Sequence, residues 1–476
     1  MTAGQAARVL LVGCVLAMLV GSCRPAPPEP ERRLNVVVLC LDTLRADHVG
    51  RWGYERPTTP NLDALADGGV VFSRAYTHSP WTVPATATLL TSLLPSQHLA
   101  GLSGDFDRNL AKTPPSDIQP GATTLAQALS SAGYRTMLLS ANPFLRGRFH
   151  DGFDQATSTR RSATELNDAA LQWLAEGDDR PFFLYLQYMD LHEPIEPPAE
   201  FFEYFPVDPE HGPRSDIHRA WRHSRVENLS DPDFVAYREH KVALYDGALR
   251  YLDEEVGRLL DALPGLPDGD STLVVVTSDH GEEFWDHATI GRELGGDPRD
   301  LWGIGHGHTM FEELLSVPLL FSGPNLPDGG ESDCEVGLID VAPTVLDLVG
   351  VAQPDSMQGR SLAGLARESA GGEVRCPRRP ILAQSPAYGP DASALVLQRK
   401  KLISRADDVE LFYDLLSDPE ERNPKTSDGD GELDVYRDIL QRAARAAAPT
   451  DSAPPAIELD EEARKQLEAL GYLSGN

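Results

Sequence analysis

Three apolar stretches of this chain end in residues that bind metal ions or carry protons. NVVVLCL at 35–41 runs into Asp42, FFLYLQYM at 182–189 into Asp190 and His192, and LVVVT at 273–277 into Asp279-His280-Gly281. One acid after a strand is commonplace, because strand ends are acidic by chance or cap a helix. Three such ends, two with histidine attached, predict carboxylates and imidazoles gathered along one sheet edge, a donor set for a divalent cation. Asp and His together favour zinc or manganese over calcium, which takes oxygen ligands throughout. A hydroxyl nucleophile is available in SPWTVP at 79–84. Pro84 suits a first helical turn, which puts Thr82 at or just before the N-cap of a helix continuing through Ala85–Leu94. Free backbone N–H groups and the positive end of the dipole there hold a tetrahedral oxyanion such as phosphate or sulfate. A bound cation would make the hydroxyl a nucleophile at neutral pH. Taken alone, the segment is better read as a capping threonine, and only the three strand ends tip the balance. His306-Gly307-His308 adds a pair suited to metal ligation, leaving-group protonation or anion binding, or simply to solvation in a loop.

The elements that must position these residues follow from the periodicity. Runs without alternation at 35–41, 182–189, 273–277 and 317–321, with a weaker one at 136–140, predict strands covered on both faces. Helical patterns lie between them at Asn61–Ala66, Thr124–Ala132, Ala163–Ala175, Glu239–Leu263 and Val341–Val349. The expected fold is α/β, a doubly wound and mostly parallel sheet over about 34–375, with ligands beyond the carboxyl ends of its strands. Short runs at 381–384, 394–398, 401–404 and 410–415 predict a small antiparallel C-terminal subdomain over 376–425. From 426 to the end we expect a loose linker rich in Asp, Gly, Ala and Pro, then an amphipathic helix at Glu461–Leu470.

Composition limits the partners. The 476 residues carry 42 Lys plus Arg against 73 Asp plus Glu, a net charge of −31 that repels phosphate backbones and argues against nucleic acid. Residues 1–23 hold an apolar core from Val9 to Val20 and close on Gly21-Ser22-Cys23, which resembles a lipoprotein signal with its lipidated cysteine. A Pro-rich tether follows at 24–33. The expectation is an exported protein, lipid-anchored to the bacterial cell envelope or otherwise periplasmic, touching membrane through that anchor only. Cys40 reads as a buried thiol, while pairing of Cys334 with Cys376 is left open.

The motifs LDTLRADHVGRWGYERPTTPNLDALADGGVVFSRAY, SPWTVPATATLLTSLLP, DLHEPIEPP, TSDHGEEFWDH, GHGHTMFEELLSVPLLF, LIDVAPTVLDLVGV and ELFYDLLSDPEERN occur in order between about 34 and 425. Together they resemble the sulfatase family of the alkaline phosphatase superfamily. That resemblance implies metal-dependent hydrolysis of sulfate or phosphate esters. It also implies two departures. The family's formylglycine position is Thr82, whose β-methyl forbids oxidation to the aldehyde, so no formylglycine is expected. The family's metal-binding Asp-Asp and Asp-Asn pairs are here Asp42-Thr43 and Asp279-His280, as in phosphatase-like relatives with a threonine nucleophile. Carried over, Asp42, Thr82, Asp279 and His280 bind one metal. Asp190, His192 and one histidine of the 306/308 pair bind a second or contact the substrate, with His308 favoured as the catalytic one and His306 as a metal ligand. Arg45 and Lys112 are candidates for the ester oxyanion. The expected function is hydrolysis of a small-molecule, glycan or lipid ester. Phospho-group transfer between envelope molecules and a catalytically dead binding protein remain as alternatives.

Overall fold

The computed structural model describes residues 33–101, 107–110, 112–202, 204–205, 228–266, 269–299, 301–369, 374–425, 431–446, 454–470 and 472. The expected signal segment, and all of the tether but Arg33, lie outside them. Among the described residues, no helix is long and apolar enough to cross a membrane.

A nine-stranded sheet forms the centre of the molecule. Its strands are β1 (Asn35–Leu41), β2 (Gly69–Tyr76), β3 (Arg135–Ser140), β4 (Gln155–Ser158), β5 (Phe182–Tyr188), β6 (Thr272–Thr277), β7 (Ser316–Val317), β8 (Leu319–Ser322) and β9 (Gly330–Gly337). They lie in the order β7-β2-β8-β6-β1-β5-β3-β4, with β9 also paired to β2. β1 runs parallel to both β5 and β6, in register from Leu41 against Tyr188 and Cys40 against Thr277. The carboxyl ends of the three strands that carry the candidate ligands are therefore side by side. All of β1, β5 and β6 is buried, as expected for unalternating apolar strands covered on two faces.

VPLLF is not one strand. Pro318, which has no N–H to donate, splits it into β7 and β8, and both pair antiparallel to their neighbours. β2, β4 and β9 are absent from the expected set. β9 (GESDCEVG) alternates buried with exposed or half-buried residues along most of its length, so it has no continuous apolar run to find. The covering helices include α1 (Thr82–Thr91), α2 (Ala163–Ala175) and α3 (Pro232–Ala262). α3 begins seven residues before the expected Glu239, because Asp231 caps it by accepting from the Asp233 N–H and Pro232 fills the first turn.

The C-terminal runs form the expected antiparallel sheet, β10 (Ile381–Gln384), β11 (Ala392–Leu397), β12 (Lys400–Arg405) and β13 (Glu410–Asp414). The stretch expected to be loose contains a helix, α4 (Glu432–Ala446). Leu433 and Tyr436 bury against Leu395, Leu402 and Phe412 of this sheet, with Leu440 and Ala443 packed beside them. That three-and-four spacing is helical, but the surrounding Asp, Gly and Pro obscured it. A disulfide joins Cys334 to Cys376, Cα to Cα 5.1 Å.

A buried charge cluster joins the two sheets' surroundings. His287 Nδ1 lies 2.7 Å from Glu313 Oε1, and its Nε2 lies 3.0 Å from the Glu420 carbonyl. Both ring nitrogens face acceptors, so the ring is an imidazolium. Burial opposes that charge, but the hydrogen bond and charge of Glu313 outweigh it and raise His287 to about 9. His287, Glu313 and Glu421 bring ligand atoms within 4.8 Å of one another, yet the imidazole is already committed to protons. Lys401, fully buried, pairs with Glu312 and Glu421 at 3.0 Å each.

Removing Lys401 strands two carboxylates, one of them fully buried, so Lys401→Ala is expected to cost about 3–5 kcal/mol in urea unfolding. His287 titrates higher folded than its usual 6.5, so its contribution is full below about pH 6.5 and disappears as pH rises through about 9. The unfolding free energies of the wild type and His287→Gln should converge over that window.

Candidate active site

The loop after β1 is held open by strain and by two side chains. Thr43 adopts φ 63°, uncommon for a β-branched residue. Its carbonyl accepts from the Tyr245 hydroxyl of α3 at 2.8 Å, and the same hydroxyl accepts from the Arg45 N–H at 2.9 Å. Ser278, just past β6, accepts from the Leu44 N–H at 2.9 Å and donates to the His280 carbonyl at 2.6 Å. These bonds lock the ends of β1 and β6 together and turn Asp42, Asp279 and His280 into one pocket.

Thr82 reaches that pocket from α1. It is the first helical residue, with Trp81 in the N-cap position and no side-chain cap, so its hydroxyl is not spent on capping. Thr82 Oγ1 lies 3.5 Å from Asp42 Oδ2 and 3.3 Å from His280 Nε2. His280 Nε2 is in turn 3.6 Å from Asp42 Oδ1 and 3.7 Å from Asp279 Oδ2. All four residues are 0 % exposed.

The electrostatics of this group call for a cation. His280 Nδ1 lies 2.9 Å from the Gly281 carbonyl, which fixes the proton on Nδ1 and turns a bare Nε2 lone pair toward both carboxylates. Among the described residues, no arginine or lysine forms an ion pair with Asp42 or Asp279. Asp42 Oδ1 and Thr43 Oγ1 are buried and, among the described residues, have no hydrogen-bond partner. Burial, then the charge of Asp279, pushes the Asp42 carboxyl above its usual range. Asp42, Asp279 and His280 bring ligand atoms within 4.8 Å of one another. Two carboxylates and an imidazole lone pair aimed at a shared point fit a divalent ion.

A second group lies beside the first. The His306 ring is 4.4 Å from that of His280 and 4.9 Å from that of His192. His192 Nδ1 lies 2.6 Å from the Glu193 carbonyl, and burial lowers the ring to about 4, so it is neutral. His306 Nδ1 lies 3.2 Å from Glu282, whose carboxyl is pushed well up by burial and then by the charge of Glu193. The hydroxyl of Tyr472, from the far C-terminus, lies 2.7 Å from His192 Nε2 and 3.0 Å from His306 Nε2.

Other expected site residues are placed elsewhere. Asp190 stands apart from the cluster: its carboxylate accepts from the Ala163 N–H at 3.1 Å at the start of α2 and lines a cavity of about 300 Å³ with Arg160, Ser162 and Tyr251. His192, four residues past the end of β5, reaches the cluster, but the chain's turn at Asp190 sends the Asp190 side chain toward the start of α2. His308, favoured over His306, instead donates to Glu283 at 2.8 Å, and despite burial that carboxylate raises it above the usual histidine range. Gly307 (φ 81°) separates the two rings, so the pair does not converge. The Arg45 guanidinium is occupied by Asp47 and Asp286, each at 2.8 Å, and by the Glu282 carbonyl, and serves as a brace. Lys112 is exposed.

Four contributors escaped the sequence. Gln187 donates to Asp42 Oδ2 and Asp279 Oδ2 at 3.1 Å each while its Oε1 accepts from Tyr185 at 2.9 Å. Asn142 donates to Asp42 Oδ2 at 3.1 Å and to Thr82 Oγ1 at 3.3 Å. A glutamine inside FFLYLQYM and an asparagine just past the 136–140 run were visible signals, the second obeying the same strand-end rule as the three acids. Glu282 and Tyr472 offered none.

Residues 34–351 match the family model Sulfatase, and 302–443 match that described as N-sulphoglucosamine sulphohydrolase, C-terminal. A sulfatase of Formosa agariphila is 24% identical, covering 87% of each chain, and an arylsulfatase of Clostridium perfringens is 23% identical, covering 81% of this chain and 89% of its own. Among solved structures, a protein in complex with its substrate D-glucosamine-2-N,6-O-disulfate superposes with a TM-score of 0.68 at 18% identity, covering 88% of this chain and 99% of its own. The phosphonate monoester hydrolase of Agrobacterium radiobacter does so with a TM-score of 0.66 at 21% identity, covering 87% and 96%. The chain belongs to the sulfatase family of the alkaline phosphatase superfamily and is a hydrolase of sulfuric or phosphoric ester bonds.

Proposed function

We propose that the chain hydrolyses a phosphoric or phosphonic ester, in preference to a sulfuric one, through a covalent intermediate on Thr82. The observation that carries this reading is the uncapped Thr82 hydroxyl, 3.3 Å from a bare imidazole nitrogen and 3.5 Å from a buried carboxylate. Asp42, Asp279 and His280, with Thr82, would hold a divalent cation, and their mixed oxygen and nitrogen donors suit zinc or manganese. Such an ion supplies a lowered hydroxyl pKa and Lewis-acid stabilisation of the ester oxygens.

The chain's own residues supply the rest. Thr82 Oγ1 bonds to the phosphorus in line with the leaving oxygen, whose bond to phosphorus breaks as the proton given up by the hydroxyl passes to it. Water then attacks the phosphorus, breaks its bond to Thr82 Oγ1 and restores the hydroxyl. Gln187 holds the two carboxylates in place, while Asn142 donates toward both Asp42 and the attacking oxygen. His192 and His306 present neutral rings beside the pocket, suited to orienting the ester next to Thr82. Threonine favours phosphorus because sulfate release from formylglycine uses its second hydroxyl, which Thr82 lacks. One solved neighbour holds a disulfated glucosamine as its substrate and another is a phosphonate monoester hydrolase, which supports a small-molecule or glycan ester as substrate. The lipobox-like Gly21-Ser22-Cys23, together with the Cys334–Cys376 disulfide, supports export to an oxidising compartment and a lipid anchor.

Thr82→Ala is expected to lose about 10³-fold or more in kcat on an aryl phosphate or aryl phosphonate. Activity equal to wild type would remove Thr82 from the chemistry. Asp279→Asn should weaken zinc or manganese binding at least about tenfold by metal titration, and chelation should abolish turnover in the wild type.

A further inference from the structure

The chain's last described residue lies deep in the pocket. After the C-terminal sheet and α4, the chain returns to the catalytic sheet's side: the Asp117 N–H donates to the Pro455 carbonyl at 2.7 Å and the Ile457 N–H to the Pro115 carbonyl at 2.9 Å. α5 (Glu461–Ala469) is capped by Asp460, which accepts from the Ala463 N–H and from Arg146 at 2.7 Å each. Ala463 and Leu467 are buried, and Gln466 Oε1 accepts from the Arg160 N–H at 3.2 Å. The Tyr472 N–H then donates to the Leu467 carbonyl at 3.0 Å, turning the side chain inward to 4 % exposure. Its ring meets Phe144 edge-on at 5.2 Å, on the loop that also carries Asn142.

The hydrogen bonds have one consistent direction. His192 Nδ1 faces a carbonyl and carries a proton, so Nε2 accepts, and the phenol donates to it. The phenol has one proton, so toward His306 it accepts, from Nε2–H. The Glu193 carbonyl thus fixes the His192 tautomer, and Tyr472 passes that order on to His306.

We infer that Tyr472 is a positioning residue of the active site: by bridging His192 and His306 beside Thr82 it sets their ring orientations, so the site is complete only when the terminal helix α5 is docked. This rests on the reading of Thr82 as nucleophile. An aromatic anchor with no such role would need the ring against Phe144 but not the hydroxyl, and Tyr472→Phe separates the two.

The test compares full-length, metal-loaded wild type, Tyr472→Phe and Thr82→Ala. On an aryl phosphate, Tyr472→Phe should lower kcat about 10- to 100-fold with little change in KM. Nitrogen-15 spectra of histidine-labelled protein should show the resonances of two imidazoles, His192 and His306, displaced in Tyr472→Phe, with the metal content unchanged. Unaltered kcat and unaltered imidazole resonances overturn the inference, and so does a rise in activity, which would make the tail an occluding plug. A dead Thr82→Ala beside a Tyr472→Phe that behaves like wild type sinks this inference alone. An active Thr82→Ala sinks the nucleophile reading, and the imidazole spectra then still decide whether Tyr472 sets the two rings.

Discussion

Two carboxylates buried around one point with an imidazole nitrogen repel each other, and a positive charge among them would relieve that repulsion. Asp42, Asp279 and His280 are in that position, wholly shielded from water, and among the described residues no arginine or lysine pairs with either carboxylate. The rest of the architecture serves to sustain it. Parallel strands in register bring the ends of β1 and β6 together, and the strained Thr43 turn and the Ser278 bridge keep them there. The cost of such a turn, about 1–3 kcal/mol, is the kind that persists only where surrounding structure over-determines it.

Around that point the protein uses amides rather than charges. Gln187 donates to Asp42 Oδ2 and Asp279 Oδ2 and Asn142 to Asp42 Oδ2, which among the described residues leaves Asp42 Oδ1 free of any donor. Arginine in the same places would neutralise the group and make a cation unnecessary. Arg45, the nearest strong cation in sequence, is instead held by Asp47 and Asp286 and spends its charge bracing the loops that carry the ligands.

The charge cluster at the C-terminal sheet works the other way. There His287 and Lys401 are protonated, matched to glutamates, and the result is adhesion between parts of the fold. Two clusters of similar composition thus differ in spacing: the His287 ring sits 2.7 Å from Glu313, whereas His280 Nε2 stands 3.6 and 3.7 Å from Asp42 and Asp279, too far for a direct hydrogen bond and far enough to share an ion.

The sequence by itself determined the parallel sheet, the antiparallel C-terminal sheet and the Asp42, Thr82, Asp279 and His280 group. Each rests on local rules, unbroken apolar runs and the chemistry of the residues that terminate them. Strand ends set which residues reach the ligand edge but not which way each turns. Tertiary structure therefore decided that His306 faces the pocket while His308 and Asp190 face elsewhere. It also decided that Gln187 and Asn142 line the site, and that a tyrosine 390 positions after Thr82 closes it. Contacts so distant in sequence leave no periodic trace, because they depend on how the chain returns across the sheet and not on any local preference.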